Sequence, residues 1–186
     1  MATEYFGENG YEDTKWADVA TAVGLGPTAL YHYFESKQHC LFEILVEALE
    51  DALAEFQRLS AGKFTEAFPA VVRGAFERTD REARRARVLV AEQGLVRHPR
   101  SAPREESARL LAFSLLKEYE SRWRDLLAGG MAAGAIPTVD PDLLARAVLG
   151  AYNSVWAWYR PEGRLELPEV ADFYLPRLLA IAGLHE

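Results

Sequence analysis

The feature that most constrains the fold is a pair of short helical patterns, residues 16–23 and 27–33, separated by a tight turn. In the first, four apolar residues recur at the spacing of one helix face: Trp16, Val19, Ala20 and Val23. Gly24 follows at the position where a glycine in the left-handed conformation ends a helix. Pro27 suits the first turn of the second helix, because its missing N–H has no partner there. The pattern predicts two short helices that cross closely.

The residues around these helices fit one arrangement. Thr14 precedes the first helix at the N-cap position, where its hydroxyl can accept a backbone N–H. Leu30 and Phe34 lie on one side of the second helix, and Ser36 can cap the helix that follows. Four side chains are left facing outward: Thr28, Ala29, Tyr31 and His32. This is the sequence form of a helix-turn-helix, whose second helix enters the major groove of DNA.

The outward side chains also suit DNA chemically. Thr28 and Ala29 can touch base edges, including the methyl group of thymine. Tyr31, Tyr33 and Lys37 can reach phosphates. A plain helical hairpin with a surface tyrosine is the alternative, and a helix-turn-helix pattern alone does not exclude it.

A fuller run of residues is more specific. Its three parts are Gly10-Tyr11-x-x-Thr14, Val19-Ala20-x-x-Val23-Gly24-Leu25 and Ala29-Leu30-Tyr31-x-Tyr33-Phe34-x-Ser36-Lys37-x-x-Leu41. Over roughly residues 3–56 this run resembles the TetR family of repressors. The resemblance implies backbone-phosphate contacts from Thr14, Tyr31, Tyr33 and Lys37. It places Pro27, Thr28 and Ala29 where the family reads bases, and Lys15 and His32 complete the predicted DNA-binding set.

Three positions depart from the family pattern. Gly26 stands where a serine is usual, Pro27 where a polar or basic residue is frequent, and Ala17 where a basic residue is common. We therefore expect base readout to depend on methyl contacts and on DNA shape.

The charge of the chain is unusual for a DNA-binding protein, which typically carries a basic patch. The formal net charge is −7, and residues 1–40 contain six acidic side chains against two lysines, a net charge of −4. The segment before Gly10 resembles only the last half of the family's first helix. We expect the native protein to begin further upstream, and an intact mass that starts at Met1 would remove this idea.

The rest of the chain has the pattern of a larger helical body. Apolar spacing predicts helices over residues 36–60, 64–78, 80–98, 104–130, 141–159 and 168–183. Pro69 lies near the start of its helix, where a missing N–H does little harm. We predict an all-α protein of about nine helices. A helix-turn-helix domain would cover residues 1–45, and an effector-binding and dimerisation domain residues 46–186.

Two features of this body suggest a ligand. Arginines are concentrated after Asp80, and Arg85 could hold an anionic group such as the phosphates of an acyl-CoA; a solvated helix face is the simpler interpretation. Four aromatic residues could line an apolar cavity: Tyr119, Trp123, Tyr152 and Trp156. Aromatic residues at helical spacing are more often plain core.

The last two predicted helices are apolar on nearly every side, which favours burial against both the body and a second subunit. We expect them to form the interface of a two-fold dimer as a four-helix bundle, through Leu149, Val155, Tyr174, Leu178 and Ile181. The two helix-turn-helix domains, one head of residues 1–45 from each subunit, would then read the half-sites of a palindrome roughly 34–36 Å apart.

A second run comprises Gly134-Ala135-Ile136-Pro137, Asp140-Pro141, Leu149-Gly150-Ala151-Tyr152-Asn153 and Trp158-Tyr159-Arg160-Pro161-Glu162-Gly163. It resembles a C-terminal type found in TetR-family regulators of fatty-acid, steroid and other acyl-CoA metabolism. The resemblance implies a repressor released from its operator by a small apolar effector, an acyl-CoA or another lipid-like molecule. A helical ligand-binding protein that no longer binds DNA is the alternative, which the acidic head favours. Binding to genomic DNA that weakens as salt rises would separate the two.

Other classes find little support in the sequence. There is no G-x-S-x-G elbow and no phosphate-binding loop, and the four histidines show no catalytic spacing, so we predict neither an enzyme nor a cofactor. His39 and Glu43 lack the further ligands of a metal site. The single Cys40, the absence of an 18-residue apolar run and the absence of a signal peptide favour a cytoplasmic protein.

Overall fold

A computed structural model describes residues 1–184, apart from the side chain of Pro27. The described chain is all-α, as predicted, with nine α-helices and one 3₁₀ turn. The helices are α1 Ala2–Asn9, α2 Trp16–Ala22, α3 Pro27–Tyr33, α4 Lys37–Leu59, α5 Phe64–Gly74, α6 Asp80–Glu92, α7 Pro103–Ala132, α8 Pro141–Trp158 and α9 Leu167–Ala182. The 3₁₀ turn is Gln93–Arg97. No helix within residues 1–184 combines the length and hydropathy needed to span a bilayer.

The chain forms two compact units that do not follow the order of the sequence. The first contains Met1–Glu50 and Asp80–Leu116, and the second contains Asp51–Thr79 and Lys117–Glu186. Helices α4 and α7 therefore contribute residues to both units. The predicted boundary at residue 45 stays a prediction about function, and α6 belongs to the same unit as the helix-turn-helix.

In the first unit, α6 packs along α1. Gly7 of α1 makes this approach close, because a Cβ atom at that position would lie 3.0 Å from the Cβ of Arg84. The start of α4 supplies the centre of the unit, with four residues fully or nearly fully buried: Leu41, Phe42, Leu45 and Leu49. Cys40 beside them is 3% exposed.

In the second unit, α9 packs against both α5 and α8. Gly74 ends α5 where it meets α4, because a Cβ there would overlap a methyl carbon of Leu59. The core of the unit is aromatic, with Trp123, Trp156 and Phe68 each 1% exposed or less.

Several predicted helix ends agree with the structure. Ser36 caps α4, since its hydroxyl accepts a hydrogen bond from the His39 N–H at 2.9 Å. Asp140 caps α8 by accepting from the Leu143 N–H at 3.0 Å. Gly24 has φ +71°, the left-handed conformation that ends α2.

Other boundaries were wrong. Thr14 does not cap α2: the N-cap residue is Lys15, no side chain caps this helix, and the Thr14 hydroxyl faces inward instead. Helix α5 ends at Gly74 rather than near residue 78, and Pro69 lies inside it rather than at its start. Helix α6 ends at Glu92, after which the chain tightens into the 3₁₀ turn. His98 is extended before Pro99, as a residue preceding proline prefers.

Candidate DNA-binding surface and aromatic core

Helices α2 and α3 are joined by a small apolar cluster. Val19, Ala20 and Leu30 are each 5% exposed or less, and Trp16 and Leu25 pack against them. The Leu25 N–H donates to the Ala20 carbonyl at 2.9 Å, which closes the turn. With Ala20 wholly buried, the two helices cross closely and the inner side of α3 is held in place.

The outer side of α3 is exposed. Tyr31 is 55% and Tyr33 60% exposed, and Thr28 and His32 are also exposed, whereas Ala29 is half-buried. Lys15, ahead of α2, is exposed as well. The side chain of Pro27 lies outside the described residues. The structure thus gathers most of the sequence-predicted side chains on one short helix, and their contacts with bases and phosphates stay predictions.

Thr14 and Lys37 are placed differently from the others. Thr14 is 3% exposed, and its hydroxyl donates toward the carbonyl oxygens of Tyr5 and Gly10, at 3.0 and 2.7 Å. The Lys37 ammonium donates to the carbonyl oxygens of Tyr11, Glu12 and Thr14 at 2.6, 3.3 and 3.0 Å.

The Lys37 ammonium also lies 4.1 Å from the centroid of the Tyr11 ring. An ammonium group has three donors, so all three of Lys37 are satisfied by the loop between α1 and α2. Its phosphate contact stays a prediction, but in this structure Lys37 organises the head internally.

A junction that the sequence analysis missed joins α3, α4 and α7 within the first unit. Arg104 of α7 donates to the carbonyl of Tyr33, the last residue of α3, at 2.6 Å. Glu35 accepts from the backbone N–H of Glu105 at 2.9 Å, and the Ser36 hydroxyl donates to the Glu105 carboxylate at 2.6 Å. We name these four residues, Glu35, Ser36, Arg104 and Glu105, the capping junction.

The capping junction is a reciprocal capping arrangement between two helices. Glu35, just before α4, satisfies a free N–H in the first turn of α7, while Glu105 of α7 holds the N-cap serine of α4. The only sequence signal for it was Ser36 as a cap, because Glu105 lies 69 residues away.

Two arginines of α6 form ion pairs within the first unit. Arg84 lies 3.6 Å from Glu8, and Arg85 lies 3.4 Å from Glu47. Arg85 therefore belongs to the first unit, whereas the four aromatic residues proposed to line a ligand cavity belong to the second. Its role toward a ligand stays a prediction.

Those four aromatic residues do come together. Ring centroids are 6.3 Å apart for Tyr119 and Trp123, 6.5 Å for Trp123 and Tyr152, and 5.9 Å for Tyr152 and Trp156. We call this group the aromatic core, defined as Tyr119, Trp123, Tyr152 and Trp156. All four are 9% exposed or less.

The cavity beside the aromatic core is small. It is lined by residues that include Phe56, Arg78, Tyr119 and Trp123, and it measures about 10 Å³. A volume of that size holds about one water molecule. In this state the aromatic core is closed, and a larger ligand would have to displace a side chain.

The predicted dimer residues divide into two groups. Val155 and Leu178 are 0% and 1% exposed and are covered by their own chain. Leu149 and Tyr174 are half-buried, and Ile181 is 40% exposed. Helices α8 and α9 also expose Leu143 and Phe173, at 66% and 54%. Apolar side chains this exposed are what a second subunit would cover.

Two further kinds of reactive group are the Cys40 thiol and the side chains that could bind a metal ion. Burial raises the pKa of the Cys40 thiol to about 12, so the reactive thiolate is scarce at neutral pH. Within the described part of the chain, no group of three His, Cys, Asp or Glu side chains could hold a metal ion.

Comparison with known protein families matches both parts of the chain. Residues 1–44 match the model described as bacterial regulatory proteins, tetR family. Residues 61–182 match the tetracyclin repressor-like C-terminal domain. Together the two matches cover the helix-turn-helix and most of the helical body.

Three known proteins are similar over nearly the whole chain. The HTH-type transcriptional repressor KstR2 of Mycolicibacterium smegmatis is 27% identical over 96% of this chain and 85% of its own length. The TetR-family regulator PfmR from Thermus thermophilus is 30% identical, with a TM-score of 0.79 over 100% of this chain and 97% of that one.

The third is AibR, solved in complex with isovaleryl coenzyme A and operator DNA. It is 21% identical with a TM-score of 0.78, over 95% of this chain and 92% of that one. At this identity the likeness shows a shared fold.

Proposed function

This chain belongs to the TetR family of bacterial regulatory proteins, and we propose that it is a dimeric transcriptional repressor released from a palindromic operator by a small apolar effector. The observation that carries the proposal is the placement of α3, which is packed on one side and exposes polar side chains on the other. Its inner side is anchored by Leu30, and its outer side exposes Thr28, Tyr31 and Tyr33.

On this proposal some exposed residues contact the DNA backbone and others contact the bases. Lys15, Tyr31 and Tyr33 contact backbone phosphates, which position the protein without reading sequence. Thr28 and Ala29 touch base edges from the major groove. His32 lies between the two tyrosines in the sequence, is also exposed, and adds a third polar group.

Thr14 and Lys37 act on DNA through the backbone of the head. Thr14 binds the carbonyls that end α1, and Lys37 binds the loop that follows it. The family role of both residues is phosphate contact, and we propose that their internal contacts come first, because they set the position of α2 and α3.

The proposed dimer uses the exposed apolar side of α8 and α9. Leu149, Tyr174 and Ile181 lie on it, together with the more exposed Leu143 and Phe173. Val155 and Leu178 support these helices from beneath rather than touching the partner. Two heads related by a two-fold axis would meet half-sites roughly 34–36 Å apart.

The proposed effector is an acyl-CoA or a similar lipid-like molecule. The aromatic core supplies apolar, aromatic walls of the kind that line ligand pockets. AibR, which shares the fold, was solved with isovaleryl coenzyme A and operator DNA together. We place the functional boundary near residue 45, with residues 46–186 as the effector-binding and dimerisation part.

We further propose that the protein works by binding and release in the cytoplasm, where its DNA target lies, and not by catalysis. KstR2, which is similar over nearly the whole chain, is an HTH-type transcriptional repressor. The alternative is a ligand-binding helical protein that does not bind DNA. In a DNA-binding assay it would bind no fragment.

The test is selection of genomic DNA fragments by the purified protein at low ionic strength, followed by titration with salt. The proposal expects a palindromic fragment bound by one dimer. Its affinity should fall steeply as salt rises, since binding releases counterions from phosphates. Native mass spectrometry of the same preparation would report the subunit count and any co-purified ligand. A dimer that binds no DNA fragment at low salt would contradict the proposal and favour a ligand-binding protein without DNA binding.

A further inference from the structure

The aromatic core contains hydrogen-bond donors that the fold does not use. The indole N–H groups of Trp123 and Trp156 are buried, and neither has a hydrogen-bond partner within residues 1–184. Both residues are 1% exposed. A buried donor without a partner destabilises a protein, because it has lost its hydrogen bonds to water and gained none in return. A phenylalanine carries no such donor, although its ring is smaller than an indole and would pack less completely.

A positive charge lies beside these donors. Arg78, in the same unit, donates from Nε to the Ala75 carbonyl at 2.9 Å. One of its terminal nitrogens lies 3.5 Å from the Tyr152 hydroxyl, and its guanidinium carbon lies 5.7 Å from the centroid of the Trp156 ring. The guanidinium is therefore held against the aromatic core.

Tyr119 adds a third donor. Burial raises its pKa far above the usual value, and Arg78 and Trp123 only partly oppose that rise. The Tyr119 and Trp123 ring centroids are 6.3 Å apart, and the Trp123 N–H makes no hydrogen bond within residues 1–184. At neutral pH the Tyr119 hydroxyl keeps its proton and can donate it.

The acceptors close to these donors are already engaged. The Tyr152 hydroxyl donates to the Ala75 carbonyl at 3.2 Å, and that carbonyl also receives Arg78. The carboxylate that lines the same cavity, Glu55, accepts from Arg58 at 3.0 Å. Of the donors in this region, the indole N–H groups of Trp123 and Trp156 therefore find no acceptor among residues 1–184.

We infer that Arg78, Tyr119 and Trp123 bind the hydrogen-bond-accepting end of the effector, a thioester carbonyl or a carboxylate, while its apolar body displaces Phe56 from the cavity. This inference rests on the proposed function for the existence of an effector, and it names the chemical group by which the effector is recognised. Both groups accept hydrogen bonds, and the guanidinium favours the charged one.

Displacement is required because the cavity measures about 10 Å³. Phe56 makes edge contacts with Trp123 at 5.4 Å and Tyr119 at 6.4 Å between ring centroids. Its movement would open the cavity beside both donors at once. Phe56 belongs to the part of α4 that lies in the second unit, together with Tyr119 and Trp123.

The experiment uses the full chain and three probes that share one alkyl chain: octanoyl-CoA, octanoate and 1-octanol. Binding is measured by calorimetry for the wild type and for Trp123→Phe, Tyr119→Phe and Arg78→Gln. The matched control is Trp158→Phe, which removes an indole that is 45% exposed. Thermal unfolding of each variant shows whether it is folded. Trp123→Phe removes an unpaired buried donor but also leaves space where the larger indole packed, so its stability is measured alongside its binding.

The inference expects octanoyl-CoA or octanoate to bind more tightly than 1-octanol. Trp123→Phe and Tyr119→Phe should each lower the affinity of that probe about tenfold, the effect of losing one hydrogen bond of about 1.4 kcal/mol. The loss of affinity for 1-octanol should be smaller than that for octanoate, because an alcohol oxygen is an uncharged acceptor. Trp158→Phe should change nothing. If the natural group is a carboxylate, Arg78→Gln lowers the affinity for octanoate more than that for octanoyl-CoA; a thioester reverses the order.

The inference is overturned if 1-octanol binds as tightly as the other two probes, if none of the three binds, or if both folded aromatic variants bind like the wild type. These outcomes are separate from failure of the proposed function, since operator binding is measured without any probe. If the protein binds octanoyl-CoA but no DNA, the effector site stands and the proposed repressor function is wrong. If it binds DNA but none of the probes, the DNA-binding function stands and the effector site is wrong.

Discussion

The Ser36 hydroxyl donates a hydrogen bond of 2.6 Å to the carboxylate of Glu105, across 69 residues of sequence. Ser36 is also the N-cap of α4, and Glu105 is 7% exposed in the first turn of α7. The backbone of Glu105 is in turn bound by Glu35. The segment that links α3 to α4 is therefore held by α7, so a movement of α7 in this unit would displace the end of α3.

We expect Ser36→Ala to lower the free energy of unfolding by about 1–2 kcal/mol, because it removes a helix cap and leaves a buried carboxylate short of a donor. Glu105→Gln should cost less, since the amide oxygen still accepts. The double variant should be less destabilised than the sum of the two single variants, because the residues share one interaction. Urea unfolding measures all four proteins, and strict additivity would show that the two side chains act independently.

Lys37 and Lys15 provide a matched pair for DNA binding. Lys37→Met should destabilise the head by about 2 kcal/mol, the range for hydrogen bonds to a charged group, and should weaken binding to every fragment. Because its donors are occupied internally, the slope of log affinity against log salt should change by less than one. Lys15→Met should leave stability unchanged and reduce that slope by about one, as the loss of a phosphate contact does. The reverse pattern would assign the phosphate contact to Lys37.

Tyr31 and Thr28 should affect binding in different ways. Tyr31→Phe removes a hydroxyl that reaches a phosphate, so affinity should fall by a similar factor on operator and on non-specific DNA. Thr28→Ser keeps the hydroxyl and removes the methyl group, so it should relax the preference for thymine at one operator position. Competition binding with single-base operator variants separates the two effects. If Tyr31→Phe alone alters the preferred sequence, the roles of the two residues are exchanged.

Stability in acid should depend on Glu106. Its carboxylate accepts from Arg109 Nε at 2.7 Å and from the Arg100 N–H at 2.7 Å, and these bonds lower its pKa to about 2 from an ordinary value of 4.5. A carboxyl group whose pKa is lower in the folded state stabilises the fold above its unfolded pKa. That contribution is lost as pH falls from about 4.5 to about 2. Glu106→Gln should be less stable than the wild type at pH 7, and the difference should vanish near pH 2. Unfolding curves across this range test it, and an equal difference at both ends would contradict it.

The helix-turn-helix could be predicted from local sequence because its determinants are close together. The spacing of Val19 and Ala20, the left-handed Gly24, and Pro27 at the start of α3 act within one or two helical turns. The cap at Ser36 was predicted for the same reason. Such features depend on backbone geometry that neighbouring residues impose, and tertiary contacts did not override them.

The same local reasoning failed for Thr14. A threonine before a helix is a good cap, but the carbonyls of Tyr5 and Gly10 lie nearer to its hydroxyl once α1 has folded against it. The apolar pattern of α8 and α9 likewise did not separate Val155 and Leu178, which are buried in their own unit, from the exposed Phe173. Helical spacing identifies an apolar side chain but not which body covers it.

The sequence alone therefore determined an all-α chain with a reading helix near its start and an aromatic set further on. Only the tertiary structure decided that Lys37 binds carbonyls of its own head and that Glu105 accepts a hydrogen bond from the cap residue Ser36. It alone also showed that the buried Trp123 N–H has no partner within residues 1–184. Each of these depends on which distant residue lies opposite a side chain, and spacing along the chain contains no such information. Contacts between residues far apart in sequence form only when the helices pack.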